Sequence, residues 1–281
     1  MDSMRYGICL GINKIWRRIM NTKVSGCIVT YNEEEMIEDC ISSILQYTKN
    51  LDFTLYVSDN DSKDRTVEII KEKFPQVIIL ENKRNGGFGD GHNKVLEQLD
   101  SEFHVVINPD IILKENTIEV LVNYLKLHEN TAMVTPKILN EDGSEQHLPK
   151  RNPRFSYVIL SKFRPFRHYR RIYTRQDEQI SEPTAVEFCT GCFFVIRTKV
   201  MRQLGGFDKR YYMYFEDADL SREVRSLGYD VIFYPMVKAV HMWRRENTKS
   251  LKGIFRFLTS MVKYFCKWGG KSEKKRKMQK V

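Results

Sequence analysis

No run in this chain reaches the ~18 consecutive apolar residues that a membrane-spanning helix needs, which argues against an integral span. The opening stretch, Met1 to Lys23, interrupts Ile8, Leu10, Ile12, Ile15 and Trp16 with Arg5, Lys14, Arg17 and Arg18. It lacks the apolar core and small-residue cleavage site of a signal peptide, and reads as an N-terminal extension. Paired cysteines are missing as well. Only Cys189 and Cys192 are close in sequence, and no second pair completes a zinc site. The pattern fits a reduced, cytoplasmic protein. Net charge is absent from most of the chain: Lys249 to Val281 holds eleven Lys or Arg against one acid, Glu273, and so carries all of the +10 formal charge. A neutral body with a cationic tail is expected to be tethered to something anionic. It lacks a recognisable nucleic-acid module, so nucleic acid is not the expected partner.

What is present suffices for one sizeable core, since 42% of the 281 residues are hydrophobic. From Ser25 to Thr135, short β-rich runs alternate with helical patterns, as in an α/β domain with a mostly parallel sheet. Strands are expected over Gly26–Thr30, Phe53–Ser58, Val77–Leu80, Phe103–Ile107 and Ala132–Thr135. The intervening helices are placed at Glu34–Gln46, Asp64–Phe74, Gly89–Leu99 and Glu115–His128. Residues 140–183, rich in Arg, Pro and Tyr, show no period and read as a long, partly mobile segment. A strand-like run at Val186–Ile196, a helix at Asp217–Leu227 and a strand at Asp230–Tyr234 follow.

Ligands of such sheets bind beyond the carboxyl ends of the strands, where this sequence is polar. Thr30, Tyr31, Asn32 and Glu33 follow the first strand; Asp59, Asn60 and Asp61 follow the second. An aromatic face beside a carboxylate suits stacking a pyrimidine ring and accepting its imide proton, although Asn and Asp also favour turns for local reasons. Asn85 to Asn93, with Gly86, Gly87, Gly89 and Gly91, leads into a helix but fails the dinucleotide fingerprint. That pattern needs glycine at its first, third and sixth places; counted from Gly87 the sixth is His92, and from Gly89 it is Lys94. The loop can still offer backbone N–H groups to a phosphate or sugar hydroxyl. Asn108 and Asp110, after the apolar strand, can hold a hard divalent cation, or merely cap the next segment. Tyr211 to Phe215 precede Glu216, Asp217 and Asp219, where crowding and an aromatic wall favour a proton acceptor near neutral pH; acids also suit a helix N-terminus structurally. His241 is a candidate metal ligand.

These clusters, in this order, resemble glycosyltransferase family 2 with the GT-A fold over roughly Val24 to Trp268. The carrying strings are IVTYNEEE (Ile28 to Glu35), VSDNDSKDRT (Val57 to Thr66), NGGFGDGHN (Asn85 to Asn93), NPD (Asn108 to Asp110), TGCFFVIR (Thr190 to Arg197), GGFDKRYYMYFEDADLSRE (Gly205 to Glu223) and AVH (Ala239 to His241). Within the family the chain is most similar to bacterial rhamnosyltransferases of surface polysaccharide assembly. The resemblance implies that Thr30, Tyr31, Asn32, Glu33, Asp59 and Asn60 meet the nucleoside, and that Asn85, Gly86, Asn93, Asn108 and Gly191 line the donor site. It further implies that Asp110 and His241 hold Mg²⁺ or Mn²⁺ and that Asp217, beside Glu216, is the general base of an inverting transfer. Many relatives carry Asp at the position of Asn108, which bears on metal affinity. The implied donor is a nucleotide-diphospho-sugar such as dTDP-L-rhamnose and the implied acceptor a lipid-linked saccharide. A UDP-hexose donor, or a non-catalytic nucleotide-sugar-binding relative, is the alternative. The implied domains are a nucleotide-sugar half at 24–135, an acceptor half at 136–248 and a basic tail at 249–281.

In that tail, Lys249 to Trp268 is expected to be an amphipathic helix at an anionic membrane surface, on the inner face of the cell membrane. One apolar stripe holds Leu251, Ile254, Phe255, Leu258, Val262 and Phe265, and a second holds Phe257, Met261, Tyr264 and Trp268. Lys252, Arg256, Lys263 and Lys267 flank them, and Lys271 to Lys280 add charge. Docking of one stripe on the catalytic domain is the alternative, since a core-facing helix has the same period.

Overall fold

In the computed structural model, residues 22–242 and 250–269 are described, with Lys162 by its backbone alone. The expected N-terminal extension as far as residue 21, Lys249 and the lysine run Lys271–Lys280 lie outside them.

Apolar alternation in the first half builds β1 (Lys23–Thr30), β2 (Asp52–Asp59), β3 (Ile78–Glu81) and β4 (Phe103–Ile107). They pair in parallel, because each crossover is filled by a helix: α1 (Ile37–Gln46), α2 (Thr66–Lys73) and α3 (Phe88–Leu96). The carboxyl ends of β1 and β2 fall in register, Thr30 opposite Asp59. After β4 come a two-residue strand β5 (Ile111–Ile112), helix α4 (Thr117–Leu127) and strand β6 (Thr131–Leu139).

The second half departs from a mostly parallel sheet. Strand β8 (Phe193–Arg197) runs antiparallel to both β4 and β6, while β9 (Asp230–His241) returns parallel to β6. The two-residue β7 (Thr184–Ala185) pairs with β9, and the full order is β3-β2-β1-β4-β8-β6-β9-β5. One mixed sheet therefore crosses both halves of the chain. Four strands carry the parallel pattern that the sequence period announces; the reversal at β8 depends on pairings that no local pattern encodes. Strand β9 extends well beyond the expected Tyr234, through a register shift opposite Pro136 and Lys137. That extension brings His241 opposite Ile111 of β5.

Residues 140–183 are more ordered than their composition suggests. They form the one-turn α5 (Phe155–Val158), 3₁₀ turns at Leu160–Lys162 and Arg164–Phe166, and α6 (His168–Tyr173). In the expected run Val186–Ile196 only the end becomes strand, because the Gly191 N–H is taken by the Asp217 carboxylate instead of a sheet partner. Helix α7 (Thr198–Leu204), closed by left-handed Gly205, has no counterpart among the expected elements. Helix α8 (Glu216–Ser226) follows.

The tail helix α9 (Leu251–Trp268) ends at the expected Trp268 and starts at Leu251, where the Ser250 hydroxyl accepts from the Gly253 N–H as N-cap. Its two stripes separate. Met261, Tyr264 and Trp268 enter a cluster with Val158, Phe188, Tyr211 and Phe215, whereas Leu251, Ile254, Phe255, Leu258 and Val262 are exposed. The single wide apolar face expected from the sequence is thus divided between the domain and the surroundings. Trp268 anchors the docked stripe, its indole Nε1–H donating to Asp219 Oδ1 at 2.6 Å. Trp268→Ala is expected to lower stability by ~3 kcal/mol or more in urea unfolding, since it leaves a cavity and strips a donor from a buried carboxylate.

Candidate functional site

At the ends of β1 and β2, the Thr30 hydroxyl donates to Asp59 Oδ1 at 2.9 Å, and Ser62 reaches both carboxylate oxygens through its N–H and hydroxyl. The Asn60 amide donates to the Gly87 carbonyl at 3.0 Å and accepts from Asn82. Asn32, left-handed at φ 58°, accepts from the Lys63 N–H and with Glu33, Glu34 and Asp64 lines an open polar depression of ≈ 480 Å³. Tyr31 is exposed beside it. The carboxyl edge of the parallel strands thus offers an aromatic ring, a carboxylate and backbone amides around one cleft.

The glycine loop closes this edge. Gly87 has φ 92°, and a Cβ there would lie 2.0 Å from the Tyr212 carbonyl oxygen, so both conformation and space require glycine. That carbonyl accepts from the Phe88 N–H, and the Tyr212 hydroxyl donates to Asn85 Oδ1 at 3.0 Å. Gly86 packs so close to Asp90 that a side chain has no room. Asn93, expected at the donor, instead exchanges two hydrogen bonds with the Phe207 backbone, at 2.7 and 2.8 Å, and fastens α3 to the loop before the acidic cluster.

Asp110 and His241 meet because β5 and β9 pair. Asp110 Oδ1 lies 3.2 Å from His241 Nε2, is buried and makes no hydrogen bond. The Gln146 amide fixes the imidazole tautomer. Its Nε2 donates to Asn140 Oδ1 and to the His241 carbonyl, each at 2.9 Å, so its Oε1 must accept from His241 Nδ1, also at 2.9 Å. In the neutral ring the lone pair then sits on Nε2, beside the Asp110 oxygen. Asn108 Nδ2 lies 3.5 Å from the same nitrogen and supplies an amide where an Asp would add a second carboxylate. No group of three His, Cys, Asp or Glu suited to a metal occurs among the described residues. Two hard donors remain, enough for Mg²⁺ or Mn²⁺ when diphosphate oxygens and water complete the shell.

Three carboxylates begin α8, and each has a different environment. Asp219 is committed to structure, accepting from Lys267 Nζ at 2.6 Å and from Trp268. Burial raises its pKa, opposed by the Lys267 ammonium. Lys267 also pairs with Asp208 and Glu223, and these acids raise its pKa despite burial. Glu216 is buried with Oε2 unsatisfied; burial first, then the Asp217 charge, raises its pKa well above the ordinary carboxylate value. Asp217 Oδ2 accepts from the Gly191 N–H at 3.0 Å and Oδ1 from the Ala218 N–H at 2.8 Å. Burial raises its pKa, while the Lys150 charge and these N–H groups favour the anion.

Directly before these acids, Tyr214 and Phe215 are both left-handed, at φ 70° and 69°. Such residues cost of order 1–3 kcal/mol each and persist only where packing fixes them. Helix α9 provides that packing. Ser260 donates to the Met213 carbonyl at 2.7 Å, Lys263 to the Arg210 carbonyl, and Phe215 packs on Phe257 and Tyr264. The Arg256 guanidinium stacks on Tyr212 at 4.1 Å.

Two residues escaped the sequence reading. Gln146 and Lys150 lie in the aperiodic segment, where an amide and a lysine carry no motif. The Lys150 ammonium lies over the Tyr173 and Phe188 rings, at 5.8 and 5.3 Å, and faces Asp217. Burial lowers its pKa and Asp217 raises it. Gly191 binds Asp217 through its N–H, and the carbonyl of the next residue, Cys192, accepts from the Asn108 N–H at 2.8 Å, so the chain entering β8 links the acidic cluster to the strand end that carries Asp110.

The family model described as Glycosyl transferase family 2 matches residues 25–205. The chain is 25% identical over 228 residues to the N-acetylglucosaminyl-diphospho-decaprenol L-rhamnosyltransferase of Mycobacterium tuberculosis, covering 76% of this chain and 74% of that one. It is also 25% identical over 242 residues to the rhamnosyltransferase WbbL of Escherichia coli K12, covering 82% and 89%. Among solved structures, GalNAc-T7 with UDP, GalNAc and Mn²⁺ superimposes with a TM-score of 0.64 at 16% identity, over 89% of this chain and about half (48%) of that one, a likeness of fold.

Because the Lys150 ammonium favours ionised Asp217, Lys150→Met is expected to raise the Asp217 pKa. The acid limb of the pH profile of kcat/KM for glycosyl transfer then moves to higher pH, and Lys150→Arg leaves it in place.

Proposed function

Because the chain belongs to glycosyl transferase family 2, we propose that it transfers L-rhamnose from dTDP-L-rhamnose to a lipid-linked saccharide, with inversion at the anomeric carbon, at the inner face of the cell membrane. The observation that carries this reading is the link, through the adjacent residues Gly191 and Cys192, between the Asp217 carboxylate and the strand end beside the Asp110–His241 pair. The names of the rhamnosyltransferase relatives favour rhamnose and a lipid diphosphate acceptor. The exposed stripe of α9 supports the membrane, as does the absence among described residues of a helix long and apolar enough to cross it.

In this reading Thr30, Asn32, Glu33 and Asp59 hold the nucleoside. Asn60 and Asn85 keep the glycine loop closed over the sugar. Asp110 and His241 hold Mg²⁺ or Mn²⁺, which neutralises charge on the departing diphosphate. Asp217 takes the acceptor hydroxyl proton as that oxygen bonds to the anomeric carbon, while the carbon–oxygen bond to the diphosphate breaks on the opposite face. Glu216, whose burial disfavours the anion, lessens the negative charge next to Asp217.

Incubation of the protein with dTDP-L-rhamnose and a short-chain lipid-diphosphate saccharide is expected to give the rhamnosylated product; turnover with UDP-hexoses alone assigns another donor. Asp217→Asn is expected to lower turnover by ~10²-fold or more while donor affinity by calorimetry stays close to wild type. Asp110→Ala is expected to abolish both activity and Mn²⁺-dependent donor binding, and full wild-type activity in excess EDTA would count against the metal.

A further inference from the structure

From Lys150 to Gln176 the chain holds nine Lys or Arg and no acid, so the body is neutral in sum and strongly basic in this one place. Part of that charge is used internally, since Glu178 pairs with Arg151 and Arg175. Arg164, Arg167, Arg170 and Arg171 are exposed and have no ion pair among the described residues. Between them stand Phe163, 57% exposed, and Phe166, 40% exposed. A single exposed apolar residue is ordinary, but here two rings alternate with unpaired guanidiniums along 3₁₀ turns and α6.

The segment is attached to the tail helix. Val158 enters the same apolar cluster as Met261, Tyr264 and Trp268, with Ile159 and Tyr173 packed against it. The residues flanking the Phe163–Phe166 turns on both sides, Val158 and Ile159 before and Tyr173 after, therefore pack in the same cluster as the inner stripe of α9. Lys150, at the start of the basic segment, faces Asp217.

We infer that residues 163–171 form a second membrane-contacting surface, with Phe163 and Phe166 entering the interface of an anionic bilayer and the four arginines meeting its headgroups. It rests on the reading that the chain works at a membrane and adds orientation to it. One amphipathic helix lets a protein roll about its axis; two contacts on one apolar base fix which face meets the lipid. The segment that carries Lys150 into the site then lies against the surface from which a lipid-linked acceptor arrives. Aliphatic residues along the neighbouring stripe of α9 favour hydrocarbon over the bases of a nucleic acid.

The test is co-flotation of the full chain with phosphatidylcholine vesicles containing graded phosphatidylglycerol. Phe163→Ser with Phe166→Ser is expected to lower the partition coefficient roughly ten-fold or more at every composition. Arg164→Gln with Arg167→Gln is expected to flatten its rise with anionic lipid by a similar factor. Slow hydrolysis of the donor sugar nucleotide stays at the wild-type rate in both, which reports an intact fold. Leu251→Ser with Phe255→Ser provides the comparison on α9. Loss of flotation in that variant alone, with both segment variants partitioning as wild type, overturns this surface and leaves the tail as the anchor. A wild-type chain that does not float overturns the membrane reading itself.

Discussion

Lys267 and Trp268, at the end of the tail helix, close on Asp219, at the start of α8, and the arrangement of the catalytic half depends on that contact. Three carboxylates within four residues cannot all remain charged in a buried place. Here one is paired with an ammonium, one is pushed towards its neutral form by burial, and Asp217 keeps two backbone N–H groups and the field of Lys150. The same helix holds Tyr214 and Phe215 in a conformation that they would leave if unsupported. A segment that composition marks as an appendage is therefore part of the wall behind the base. Through Arg256 and Tyr212 it also touches the glycine loop, so donor side and acceptor side share one support.

The metal side is built on a different principle. His241 and Asp110 are far apart in sequence and meet only because β9 runs on past its expected end to pair with β5. Gln146 then sets the imidazole lone pair toward the carboxylate, so one amide decides the ligand character of the histidine. Asn108 leaves Asp110 as the one carboxylate beside His241. In the proposed reading, binding energy for a cation would come in larger part from the diphosphate, which would couple metal affinity to donor occupancy.

The first half of the fold was legible because its signals are local. Short β-rich runs between helical patterns mark β1 to β4 within a few residues, and helical spacing marks α9 to within two residues of its start and at its end. Placement beyond strand ends also identified Asp59, Asn60 and Asp110 as neighbours of one edge. The reversal at β8, the length of β9 and the order of residues 155–173 arise from contacts distant in sequence, and no period announces them. Asn93 illustrates the limit within a motif. Its position suits a ligand, yet its amide is spent on the Phe207 backbone. Lys150 illustrates the converse, a charge beside the base with no motif around it.

The central claim is that Asp217 acts as a base in a single displacement, with Asp219 occupied by Lys267. The most direct test is the anomeric configuration of the product, read by proton NMR during the first turnovers with a donor of defined anomer. A configuration opposite to that of the donor is the predicted result. A product that keeps the donor configuration would contradict the account, because retention calls for a second step that this arrangement of carboxylates does not provide.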